Sequence, residues 1–152
     1  MQRLPPRARN GFTLVEMMVV IVLVGLMSAV VVLAIPDPRG NLVEEAERLA
    51  ARLAAARNDA IVQGRAIRMT IDATGYAVER RTGGRWLPAA DKLFAPIAWK
   101  TGTQPVLSAA APIRVSFDPT GGVSEPTTVA LERDRATAQV AIDSDGGVRV
   151  AG

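Results

Sequence analysis

Apolar residues along this chain fall into three successive patterns. From Phe12 to Ile35 nearly every position is apolar, with Glu16 as the lone charge and Gly25 and Ser28 as small exceptions. The stretch exceeds the roughly 20 residues that a helix rising about 1.5 Å per residue needs to cross about 30 Å of hydrocarbon. It predicts a membrane-spanning helix over 12–35. A second pattern follows: Leu42, Ala46, Leu49, Leu53, Ala56 and Ala60 recur at alternating spacings of four and three. That is one stripe of an amphipathic helix over about 41–64, and its small residues suit packing on a sheet better than a coiled coil. From about 66 to 152 the period drops to two. Ile67, Met69 and Ile71 alternate with polar or small neighbours, and the later strand candidates are 76–81, 85–87, 113–117, 128–131, 139–142 and 148–150.

Punctuation between these patterns fixes the organisation. Ile35-Pro36-Asp37-Pro38-Arg39-Gly40 must break the first helix, because proline removes a donor and disfavours helix before it. Asn41, with Glu44 in the capping-box place, is one start for the second helix; Asp37 followed by Pro38 at the first helical position is the other. Gly64 reads as its stop. Asp72 to Gly75, Gly83-Gly84, Asp118 to Gly122 and Asp143 to Gly147 read as turns. Pro88 to Pro112 shows no clear period. The predicted fold is α+β, a long two-part N-terminal helix packed on an antiparallel β-sheet domain spanning 36–152.

Charge and composition remove several function classes. Cysteine and histidine are absent, which excludes thiol nucleophiles, disulfides, Cys/His zinc sites and imidazole catalysis. The net charge of +3 comes from 18 basic and 15 acidic side chains, and Arg3, Arg7 and Arg9 account for the whole excess. The basicity therefore belongs to the leader, and no basic stripe for nucleic acid continues beyond it. Cations before a membrane helix stay cytoplasmic, so residues 1–11 are expected inside the cell and residues after Ile35 outside it. Asp143 and Asp145 place oxygen ligands at alternate positions, but the closing ligands of a calcium loop are missing, and a hairpin turn needs the same residues. Arg80, Arg81, Arg85 and Trp86 read as a solvated hairpin face.

Glu16 is the position that composition does not explain. A carboxylate within a membrane span costs roughly 2.5–3.5 kcal/mol on insertion scales, unless it lies at the headgroup boundary. A cleaved secretory signal would have a shorter apolar core. Gly11-Phe12-Thr13-Leu14-Val15-Glu16, after a short basic leader, resembles the prepilin signal of type IV pilins and type II secretion pseudopilins. That resemblance implies cleavage between Gly11 and Phe12 by prepilin peptidase, N-methylation of Phe12, and pairing of Glu16 with the terminal amine of a neighbouring subunit. Leu53 to Gly64, Tyr76, Trp86-Leu87-Pro88, Phe117 with Gly121, and Gly146-Gly147 are similar to the GspH/FimT branch of that family. The branch implies a minor pseudopilin of type II secretion in the bacterial inner membrane, partnered by other pseudopilins, with no catalytic residues, no cofactor, no metal and no nucleic acid. The rivals are a FimT- or FimU-like minor pilin, serving pilus initiation or DNA uptake, and a membrane-anchored periplasmic enzyme.

Intact mass of the membrane-extracted protein checks the leader. The expected mature chain lacks its first eleven residues and carries one added methyl, whereas Gly11→Ala retains Met1.

Overall fold

The computed structural model describes residues 13–33, 38–108 and 111–151. The chain divides into two units, Met1–Pro36 and Asp37–Gly152. The first is a single helix, α1 (Leu14–Leu33), of 20 residues, which at about 1.5 Å per residue rises about 30 Å, the thickness of a hydrocarbon core. Every side chain described on it, from Leu14 to Ser28, is exposed within the chain. Among the described residues no helix is long and apolar enough to cross a membrane. The break at Ile35 to Asp37 lies outside the described residues.

The second unit opens with α2 (Pro38–Gln63). It starts at the earlier of the two expected positions, so Asn41 stands inside the helix and does not cap it. Proline suits the first helical position because its missing N–H would have no partner there. The other end closes on Gly64, which adopts a left-handed φ of 59°. Its N–H donates to Ile61 O at 3.3 Å, and the Arg65 N–H donates to Ala60 O at 3.1 Å. This pair of bonds is the Schellman closure that satisfies the last carbonyls.

Among the described residues nine strands follow: β1 (Ile67–Ile71), β2 (Gly75–Thr82), β3 (Arg85–Pro88), β4 (Ile97–Ala98), β5 (Thr103–Pro105), β6 (Ile113–Phe117), β7 (Thr127–Arg133), β8 (Ala136–Ile142) and β9 (Val148–Ala151). They form two antiparallel sheets. The first runs β3-β2-β1-β6, with β4 also pairing β2; the second runs β5-β7-β8-β9. The single isolated bridge among the described residues, Phe117 to Val123, lies where the chain passes from one sheet towards the other.

Period decides which side chains go inward. Ile67, Met69, Ile71, Tyr76, Val78, Val115 and Phe117 are buried from the first sheet, and Val129, Leu131, Ala138, Val140 and Ile142 from the second. Between them lies the α2 stripe: Leu42, Ala46, Leu49, Leu53, Ala56 and Ala60 are each no more than 1% exposed. Alanine at three of these positions lets the helix lie close to both sheets.

The 88–112 stretch differs from its unpatterned reading. It holds a short 3-10 turn (Lys92–Phe94) and the strands β4 and β5. Elements of two or three residues carry no measurable period; they form because Phe94 is buried and because β2 and β7 offer edges to pair with. Strands β7 and β8 are also longer than their apolar cores, since Asp134 supplies the positive φ of 54° that their tight turn requires.

Leu53→Ala should lower the unfolding free energy by about 2–5 kcal/mol, the usual range for opening a cavity at a buried leucine. Val62→Ala, on the exposed side of α2, should change it by about 0.5 kcal/mol or less. Denaturant titration of the two variants checks both.

Candidate functional site

Of the three residues singled out by sequence, Gly11 and Phe12 lie outside the described residues. Glu16 lies in the first turn of α1, and its local setting was not foreseen. Thr13 precedes the helix, and its side-chain Oγ1 accepts the Glu16 backbone N–H at 3.2 Å; the Met17 N–H donates to Thr13 O at 3.2 Å. Thr13 is therefore the N-cap, and Thr13-Leu14-Val15-Glu16 has the spacing of a capping box. The signal was present in the sequence as threonine three residues before glutamate. A carboxylate here also faces the positive end of the helix dipole. Glu16 thus has a helix-starting role available besides any pairing across subunits.

Helical geometry sets which residues share its face. At 3.6 residues per turn, Val20, Leu23 and Met27 fall on the side of Glu16, and Gly25 falls opposite. An added Cβ at Gly25 would meet nothing within 4 Å. The Ser28 hydroxyl donates to Val24 O at 2.8 Å, so its polarity is satisfied inside its own helix. Both positions leave a smooth surface for close approach of another helix.

The second unit contains polar side chains of α2 that lie beside its apolar stripe. Glu45 is 2% exposed, and its carboxylate accepts the Lys100 N–H and the Thr103 hydroxyl, each at 2.7 Å. Arg52 donates to Ala95 O at 2.6 Å. Arg57 donates to Gly121 O and Asp145 O, both at 3.0 Å. Asp59 pairs with Arg80 at 2.9 Å. One helix thus holds the 95–103 segment, the loop after β6 and the final hairpin turn by side-chain bonds. Spacing places these residues beside the apolar stripe but cannot name their partners, which are distant in sequence.

The turn acids serve their own loops. Asp118 accepts the Thr120 hydroxyl at 2.6 Å and backbone N–H groups of Thr120 and Gly122, and the Thr120 hydroxyl leads in holding its carboxyl below the usual range. Asp72 is lowered in the same way, first by the Thr74 hydroxyl. Asp143 pairs with Arg149, and Asp145 accepts the Gly147 N–H. Among the described residues no three acidic side chains gather as metal ligands would. Gly146, with φ 79°, is required where it stands: an added Cβ would meet Gly121 O at 1.9 Å and Arg57 Nε at 2.7 Å. Trp99 donates to Asp72 O at 2.8 Å and packs on Tyr76, ring centroids 5.1 Å apart. Burial pushes the Tyr76 phenol above its usual pKa.

An N-terminal helix packed on antiparallel sheets, preceded by a helix with an acid in its first turn, defines the pilin-like α+β class. Comparison with known proteins narrows this. The model of the prokaryotic N-terminal methylation motif matches residues 6–35, and the model of type II transport protein GspH matches residues 45–146. The chain belongs to the GspH family. That family consists of structural subunits, not enzymes, and the methylation motif is that of chains anchored in the inner membrane.

Type II secretion system protein H of Pseudomonas aeruginosa is 34% identical over 88 residues, covering 55% of this chain. The match spans 51% of that relative's length. Among solved structures, the minor pseudopilin EpsH from the type 2 secretion system of Vibrio cholerae superposes with a TM-score of 0.60 at 21% identity, covering 76% of this chain and 97% of that one. The type IV minor pilin FimU of P. aeruginosa gives a TM-score of 0.60 at 20% identity, covering 75% and 90%. At these identities the likeness is one of fold.

Glu45→Ala should cost about 1–3 kcal/mol, because a buried hydroxyl and a half-buried N–H lose their acceptor. Glu45→Gln, which keeps one acceptor oxygen, should cost less. Thermal unfolding of the two variants checks the order.

Proposed function

We propose that this chain works as a minor pseudopilin of a type II secretion system, placed at or near the pseudopilus tip, and that it helps move folded proteins across the outer membrane. One observation carries the reading: a methylation motif over 6–35 and the GspH signature over 45–146 occur together on one chain. In this reading prepilin peptidase cuts between Gly11 and Phe12 and Phe12 is methylated. The helix then crosses the inner membrane once, N-terminus inside and the β-rich domain in the periplasm. Other pseudopilins are its partners.

Glu16 is the assembly residue of this scheme. A carboxylate in lipid attracts the amine of a neighbour's first residue strongly, but desolvation offsets much of the gain. Its main value is register, since a subunit docked a turn out of place leaves both charges unpaired. A subunit that retains the acid has a place for a neighbour above it.

The FimU likeness keeps a second reading, a minor pilin, because its TM-score equals that of EpsH. Gene deletion separates the two. Folded enzymes trapped in the periplasm support secretion; loss of twitching or transformation with normal secretion supports the pilus.

The capping geometry gives a sharper test of Glu16. Glu16→Gln keeps the backbone N–H bond to Thr13 but loses the charge, so it should be processed normally and yet fail to enter the assembled fibre. Thr13→Ala removes the cap, worth about 1 kcal/mol, and should still assemble. If pulldown of neighbouring pseudopilins is normal for Glu16→Gln and lost for Thr13→Ala, the acid acts through helix capping and the pairing scheme is wrong.

A further inference from the structure

The first sheet has two faces, and α2 covers only one. On the other, pairing register places Arg68 and Thr70 of β1, Glu79 and Arg81 of β2, Trp86 of β3 and Arg114 of β6, with Arg81 and Trp86 opposite each other at the end where β1 begins and Arg114 opposite Thr70 towards the other end. All six side chains are at least partly exposed. Glu79 is spoken for: Arg68 approaches it at 2.8 Å, and the Thr70 hydroxyl donates to it at 3.2 Å. The Arg68 guanidinium also lies 4.5 Å from the centroid of the Trp86 ring, a cation–π contact. Arg81, which stands directly opposite Trp86, and Arg114 form no ion pair among the described residues. Arg65 and Arg85 add charge at the end that holds Arg81, and Asp118 there turns its carboxylate into its own loop.

We propose that this face docks a carboxylate-rich surface of a partner protein. Trp86, with the Arg68 guanidinium on its ring, is the apolar anchor, and Arg81 and Arg114 are the cations that receive the acids. Tryptophan and arginine are the residue types that most often dominate binding at protein interfaces. Complementary charge adds selectivity and speeds encounter more than it adds affinity. A second copy of this chain does not suit the face, since a two-fold contact would set like charges against each other. Nucleic acid suits it less than an acidic protein: Arg68 occupies a side of the indole that a base would stack on, and the chain beyond Gly11 has no net positive charge to follow a phosphate backbone. The proposal goes beyond the secretion reading and does not depend on which machine the subunit serves.

The test uses the full chain in a neutral detergent, with a fluorescein-labelled glutamate-rich peptide as probe. A matched lysine-rich peptide and labelled oligothymidylate serve as comparisons. The acidic peptide should bind and should weaken about tenfold in the double variant Arg81→Glu/Arg114→Glu and in Trp86→Ala, with far-UV circular dichroism unchanged. Arg81→Lys/Arg114→Lys should retain most of the binding. The cationic leader is common to all these variants, so binding unaltered by the charge reversal overturns the proposal. So does absence of binding, and so does tighter binding of oligothymidylate than of the acidic peptide.

Discussion

The β-rich unit depends on one stripe of α2. Each sheet has a single apolar face, and among the described residues no strand of one sheet pairs with a strand of the other. The helix supplies the surface that both faces need. Its contacts run to β1 and β6 of the first sheet and to β7, β8 and β9 of the second. Fully burying a leucine is worth about 1.5–3 kcal/mol, and Leu42, Leu49 and Leu53 are buried on this stripe. The alanines between them contribute by being small, since bulkier side chains would hold the sheets off and open voids.

Polar bonds beside the stripe convert that packing into a defined arrangement. Hydrophobic burial is non-directional and would tolerate sliding of the helix. Glu45 and Arg52 bond the 95–103 segment, Arg57 the loop after β6 and the last hairpin turn, and Asp59 bonds Arg80 of β2, so a shift by one turn would break several bonds at once. Buried or half-buried donors left without acceptors would then carry a desolvation cost. The same residues fix loops that have little core of their own, notably the 95–103 segment and the hairpin turn at Gly146.

The N-terminal unit follows a different logic. The described side chains of α1 are all exposed within the chain, so its stability does not come from its own domain. Lipid and neighbouring helices are the surroundings such a surface fits. A threonine cap and an acid in the first turn give the helix a defined start, and a helix with a fixed start can present one carboxylate at a reproducible depth. In the GspH family this joins an anchor helix to a β-rich domain.

Local pattern alone determined a good deal. The long apolar run, the four-and-three stripe from Leu42 to Ala60, the stop at Gly64 and the alternation in β1 are periodicities and turn chemistry, and these act over a few residues. The Gly11 to Glu16 motif was equally legible, and with it the family. The N-cap at Thr13 was written there too, though overshadowed by the charge three residues on. Tertiary structure alone decided the rest. Division into two sheets, the short strands within 88–112, the partners of Glu45 and Arg57, and the grouping of Arg68, Arg81, Trp86 and Arg114 on one face all join residues far apart in the chain. Such contacts exist because closing a long loop is repaid by burial and hydrogen bonding at its ends, and no periodicity along the sequence records which ends will meet.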